Sequence, residues 1–195
     1  MIQNKTQNME AVQSSTYPVT LVLLGEFGCG KSASGNTILG ENKFASRATA
    51  GPLTTQCQKE ERDLNGKRVT VIDTPDFFDQ HIKDPERHVR QCREMCKGRE
   101  CVYLLVIQIG RFTERERDIL ERLEKKLGRI GERTIILFTY GDNLKYGQSI
   151  DDYVRSTDPH LQRLIGKCRD KYHVFNKQEQ RRVESAGGEA HGTGI

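Results

Sequence analysis

One octapeptide limits what this chain can become more than any other stretch: Gly25-Glu-Phe-Gly-Cys-Gly-Lys31-Ser32. Its spacing, G-x-x-x-x-G-K-S, is that of a phosphate-binding loop, which has meaning only between a strand and a helix. Residues 19–24, Val-Thr-Leu-Val-Leu-Leu, read as a buried strand, and residues 31–39 read as a helix. Glycines let the backbone curl so that several N–H groups face one concavity, and the helix N-terminus adds partial positive charge. Gly25, Glu26, Phe27, Gly28, Cys29, Gly30, Lys31, Ser32 and Ala33 are therefore the expected cradle for a polyphosphate. In such a loop the Lys31 ammonium reaches β- and γ-phosphate oxygens, and the Ser32 hydroxyl ligates Mg²⁺. Cys29 is either a reactive thiol beside Lys31 or a filler of a tolerant position.

The rest of the chain alternates strands with helices. Residues 1–16 are polar, without an apolar core, and are expected to be disordered rather than a signal peptide. Residues 40–53 read as a mobile loop. Residues 56–63 and 67–72 form two strands around Asn65-Gly66, a strong hairpin signal. Asp84-Pro85 starts a helix with a cap and a proline in its first turn. Residues 101–109 are almost wholly apolar, as a central parallel strand should be. Thr113-x-x-Glu116 is a capping box, expected to open a helix that buries Ile119, Leu120, Leu123 and Leu127. Strands at 134–138 and 172–175 flank one or two short helices within 149–167, and residues 177–195 read as a disordered polar tail. The expectation is an α/β P-loop fold: a mostly parallel six-stranded sheet, one antiparallel edge strand, and helices on both faces. The ordered domain should span residues 17–176.

Composition narrows the classes. The chain has 195 residues with 31 Lys and Arg against 27 Asp and Glu. The two signs alternate, which argues against a clustered nucleic-acid footprint. No apolar run reaches the length of a membrane span, so no membrane anchor is expected in this chain. The six cysteines form no C-x-x-C pair, and are expected to be reduced thiols of a cytoplasmic protein.

In a sheet of this kind, ligands bind beyond the carboxyl ends of the strands. Asp73 ends Val69-Thr-Val-Ile72 and can hold Mg²⁺ opposite Ser32. Asp142, after the strand at 134–138, can accept from two adjacent N–H donors, a pair that guanine offers and adenine does not. Asn176 either contacts the base from the other side or is a simple cap.

Residues 25–40, G-x-x-G-x-G-K-S-x-x-G-N-x-I-L-G, resemble the immunity-associated GTPases, the GIMAP or IAN family with its AIG-type G domain. Leu53-Thr-Thr-Gln-Cys57-Gln, Val71-Ile-Asp-Thr-Pro75, Gln108-Ile-Gly-Arg111-Phe-Thr113, Phe138-Thr-Tyr-Gly-Asp142 and Cys168-x-x-x-Tyr172-x-x-Phe175-Asn176 extend the resemblance over residues 17–176. The resemblance implies GTP and GDP as ligands with Mg²⁺, and an immune role by analogy. It implies Thr54 as the first-switch threonine on metal and γ-phosphate, Asp73 on the metal side, and Asp142 as the base-specifying acid. It further implies a homodimer through the nucleotide face, placing Arg111 near the partner's phosphates, where its planar fork can spread charge. Arg111 as a plain surface residue before Thr113 is the competing reading.

Departures from that family bear on rate. Asp76 stands where the family has glycine after Asp-Thr-Pro, adding negative charge beside negative oxygens. Phe77 and Phe78 follow, with no glutamine to orient an attacking water, so GTPase activity should be slow. Tyr140 stands where a basic residue is common. The expected catalytic set is Lys31, Thr54 and Arg111. The leading expectation is a GTPase switch or scaffold stimulated by dimerisation. Its alternative is an inactive binding module that holds GDP. A small-molecule P-loop kinase is a remote third, for want of an Arg-bearing lid.

Overall fold

The structure, a computed structural model, describes residues 18–46 and 54–176. The segments expected to be disordered, 1–16 and 177–195, lie outside the described residues, as do 47–53 of the loop expected at 40–53. Six strands form one sheet: β1 (Val19–Leu24), β2 (Gln58–Leu64), β3 (Lys67–Asp73), β4 (Cys101–Gln108), β5 (Thr134–Thr139) and β6 (Tyr172–Val174). Their order across the sheet is β2-β3-β1-β4-β5-β6. Only β2 runs antiparallel, paired with β3 through the Asn65-Gly66 turn, where φ is 49° and 78°. Both positive values are what a two-residue hairpin needs to match strand twist. The expected architecture holds.

Alternation along the central strands assigns two faces. Val22, Leu24, Ile72, Leu105, Ile107, Ile136 and Phe138 join one buried cluster. Leu23, Val71, Leu104, Val106 and Leu137 join the other. Helix α1 (Lys31–Leu39) supplies Leu39 to the second face. Helices α2 (Pro85–Cys96), α3 (Ile119–Leu127) and α5 (Pro159–Lys167) supply Val89, Leu123 and Leu164 to the first. The short α4 (Ile150–Ser156) packs Ile150, Tyr153 and Val154 against that cluster. Two-sided burial explains why β4 reads as an unbroken apolar run.

Local signals were read well where the cap chemistry is explicit. Asp84 accepts from the Arg87 amide at 3.0 Å and opens α2 ahead of Pro85. One boundary is corrected. The Thr113/Glu116 capping box is formed, but it opens a separate single-turn 3-10 helix, Glu114–Glu116, and α3 begins only at Ile119. Within α3, Ile119, Leu120 and Leu123 are buried, while Leu127 is only half-buried at the last turn.

Candidate nucleotide site

The carboxyl ends of β1, β3, β4 and β5 bring the candidate residues to one rim. Between β1 and α1 the loop turns through Gly25, Gly28 and Gly30, with φ of 144°, 77° and 100°. Gly25 has a second reason to lack a side chain: a Cβ there would stand 2.6 Å from the Val106 carbonyl oxygen and 2.9 Å from Cys29 Sγ. Cys29 is thus a packing piece. Burial pushes its thiol up to about 11, against the pull of Lys31, so it is not a reactive thiolate. Lys31 is buried, and its Nζ donates to the carbonyls of Gly25 at 2.9 Å and Glu26 at 2.8 Å. The ammonium therefore lies folded over the mouth of the loop.

Ser32, Thr54 and Asp73, taken from three separate segments, meet at one point. Ser32 Oγ donates to Asp73 Oδ2 at 2.6 Å, and Thr54 Oγ1 donates to the same oxygen at 3.1 Å. The two hydroxyls are 3.1 Å apart. Asp73 is fully buried and its other oxygen, Oδ1, has no hydrogen-bond partner. Burial raises the Asp73 carboxyl above its ordinary value, opposed by Ser32, Lys31 and Thr54. An oxygen-only donor set with an orphaned carboxylate oxygen suits a hard divalent cation. Among the described residues no three His, Cys, Asp or Glu side chains form a metal cage. A cation here would complete its shell from phosphate oxygens and water, as Mg²⁺ does.

On the opposite side, Gly141 joins the two candidate base contacts. Its amide donates to the Phe175 carbonyl at 3.0 Å. A Cβ on Gly141 would stand 2.1 Å from Asn176 Oδ1 and 2.9 Å from Val174 Cγ2. Asn176 thereby sits against the turn Gly141–Asn143, which carries Asp142, and both side chains are exposed. Tyr140, just before this turn, is in the left-handed region at φ 57°, a conformation that disfavours an aromatic residue.

Arg111 is exposed on the rim and lines a small crevice with Glu26, Phe27, Cys29, Gln108 and Glu116. Phe27 is 40% exposed at its edge. Ala33 lies in the first turn of α1. A larger groove of about 400 Å³ lies elsewhere, between α2 and α3, lined by Phe78, Val89, Arg90 and Lys125 among others. It is open and strongly charged, and of the residues singled out from the sequence it holds Phe78.

Several contributors carry no strong sequence signal. Thr139 Oγ1 donates to the Cys29 carbonyl at 2.7 Å, and Thr74 Oγ1 donates to the Leu23 carbonyl at 2.7 Å. Both lie inside segments that carry the resemblance, 71–75 and 138–142, but nothing in the sequence names the carbonyl that each one meets. Thr113 Oγ1 donates to Glu26 Oε2 at 3.2 Å, and Arg115 Nε lies 3.3 Å from Glu26 Oε1. The segment Arg111-Phe-Thr113, singled out by resemblance, is thereby tied to the phosphate loop of its own chain. Asp76 was legible as a departure, but its partner was not: its carboxylate accepts from the Phe27 amide at 3.1 Å. Phe77 is buried in the core and Phe78 lies under Arg122, 3.9 Å from guanidinium to ring centre.

The model of the AIG1 family matches residues 19–187. Mouse (Mus musculus) GTPase IMAP family member 8 is 36% identical over 168 residues, covering 83% of this chain and 24% of its own. Arabidopsis thaliana immune-associated nucleotide-binding protein 13 is 34% identical over 177 residues, covering 88% of this chain and 52% of its own. The chain thus spans about a quarter of the mammalian relative and about half of the plant one. Among solved structures, Arabidopsis thaliana Toc33 in complex with GDP and Mg²⁺ superposes with a TM-score of 0.57 at 20% identity, over 87% of this chain and 68% of that one. A structure reported under the finding that dimerisation is important for the GTPase activity of the chloroplast translocon components atToc33 and psToc159 gives a TM-score of 0.58 at 18% identity, over 82% of this chain and 69% of that one.

Proposed function

The chain belongs to the AIG1 family, and from that membership we propose that residues 17–176 are a G domain that binds GDP and GTP with Mg²⁺ and hydrolyses GTP slowly. The observation that carries this reading is the convergence of Ser32, Thr54 and Asp73 beside Lys31 at the mouth of a glycine loop. The amides of residues 25–33 hold the phosphates, and Lys31 turns from loop carbonyls to β- and γ-oxygens. Ser32, Thr54 and Asp73 would hold the cation, which would supply neutralisation of the charge on the outer phosphates. Asp142 selects guanine by accepting two N–H bonds, and Asn176 borders the base from the next loop.

Slow turnover follows from what lines the γ-phosphate side. Phe77 is spent on the core and Phe78 on Arg122. Neither offers a polar group to position a water. The missing charge stabilisation is assigned to Arg111 of a second copy, in a homodimer through the nucleotide face. Its exposed place on the rim, and the dimerisation named for the Toc proteins, support that reading. Among the described residues no helix is long and apolar enough to cross a membrane. A cytoplasmic, immunity-associated setting is the proposed context, following the relatives' names.

A second reading is favoured by one contact, the Asp76 bond to the phosphate loop: a module that holds GDP and turns nothing over. Purified protein is denatured, and the released nucleotide is identified by chromatography. Guanine nucleotide is the expected result; adenine nucleotide overturns the base assignment. Turnover per molecule that rises with protein concentration favours the paired GTPase, and a flat zero favours the module.

A further inference from the structure

Asp76 stands three positions past Asp73, on the segment that leaves β3, and is 6% exposed. Its Oδ2 accepts from the Phe27 amide at 3.1 Å, and its Oδ1 accepts from the Phe78 amide at 2.9 Å. The first bond joins residues 49 positions apart, so it is a tertiary contact and not a local turn. An amide of the loop built to hold phosphate oxygens is thus held by a carboxylate of the chain itself. The two anions make the same demand of an N–H: a short, charge-assisted bond.

Position decides which phosphate is mimicked. A phosphate-loop lysine reaches the β- and γ-oxygens, and the cation beside it bridges the same two groups. Lys31 and Asp73 therefore mark the outer end of the cradle, and Asp76 closes that end. Resting on the guanine-nucleotide reading above, we infer that Asp76 is an internal surrogate for the terminal phosphate and sets the choice between diphosphate and triphosphate. With a diphosphate, Asp76 stays on Phe27 and residues 74–78 remain shut against the loop. A triphosphate brings a second anion to the same end of the cradle, and like charges there repel. Asp76 then has to leave, giving up the Phe27 amide.

Its departure is transmitted along a short path. Phe78 is tied to Asp76 through its amide, to Arg115 Nη2 through its carbonyl at 3.0 Å, and to Arg122 through its ring. Phe78 also lines the charged groove between α2 and α3. Release of Asp76 thus reshapes a surface remote from the phosphates.

The test measures GDP and GTPγS affinities by calorimetry for the full chain, Asp76→Asn and Asp76→Gly. The parent is expected to favour GDP, and both variants to shift the ratio toward GTPγS by about tenfold, the scale of one charge-assisted bond. Asp76→Asn keeps the shape and one acceptor, so it carries the test if the glycine variant fails to fold. In ligand-free protein, hydrogen exchange at the Phe27 amide should accelerate in the glycine variant. An identical GDP to GTPγS ratio in all folded proteins overturns the inference while leaving nucleotide binding intact. A parent that binds neither nucleotide overturns the guanine reading itself, and this inference with it.

Discussion

Glu116 shows how a single side chain can be asked to do two things. It is 2% exposed and caps its own 3-10 turn, accepting from the Thr113 amide at 2.8 Å. Burial pushes its carboxyl from 4.5 up to about 7; nearby Glu26 pushes the same way, while Thr113 and Arg111 oppose. A carboxyl whose pKa rises on folding takes up a proton, so its favourable contribution is present below the unfolded value and is lost as pH climbs from 4.5 to about 7. Glu116→Gln keeps an acceptor for Thr113 and carries no charge. Thermal melts should place this variant about 5 °C above the parent at pH 8, with the gap closing at pH 5. A gap independent of pH would contradict the assignment. The capping box that positions Glu116 was plain in the sequence. Its burial beside Glu26 was not, because that depends on Thr113 and Glu26 meeting across 87 positions.

Helix α1 is an element that periodicity does not find. Its buried residues are Lys31, Ser34, Gly35, Asn36 and Leu39, a set with almost no apolar stripe. Only the glycine loop before it announced the helix. The structure supplies the reason. A Cβ on Gly35 would stand 2.8 Å from the Phe44 ring, and Asn36 grips the backbone that follows. Asn36 Oδ1 accepts from the amides of Lys43 at 2.9 Å and Phe44 at 2.8 Å, while Nδ2 donates to the Phe44 carbonyl at 2.8 Å. Polar residues here are paid for by bonds, and Asn36→Ala strands the two backbone groups of Phe44, while the Lys43 amide keeps the Glu41 carbonyl at 3.0 Å. Chemical denaturation should show a loss of about 2–4 kcal/mol, and a loss below about 0.5 kcal/mol would mean that water replaces the clamp.

For the whole molecule, the site is a product of strand order. β1 lies between β3 and β4, so the connection out of β1 runs to one side of it, the connection from β3 to β4 crosses to the other, and a crevice opens at its carboxyl end. A mostly parallel sheet with one antiparallel edge strand was readable, because β4 and β5 are apolar runs and the hairpin turn is explicit; the order of the strands was not. The approach of Asp142 and Asn176 through Gly141 was only half readable, since residues beyond β5 and beyond β6 meet by register alone. A ligand that binds only the folded chain raises its stability by mass action, about 2.7 kcal/mol at a hundredfold excess over Kd. GDP with Mg²⁺ should therefore raise the parent's Tm by several degrees, and Lys31→Ala should abolish the rise while remaining folded by circular dichroism. An equal rise in both proteins would place the ligand away from this cradle.

Thr139 fastens the phosphate loop from beneath, Thr113 and Arg115 steady it through Glu26, and Cys29 wedges it from within. A receptor shaped in advance surrenders little freedom at the moment of encounter. On the proposed reading, capture of a nucleotide is then governed by diffusion and steering, and residence time by how readily Lys31 lets go, so the clock of this protein would be written in its dissociation rates.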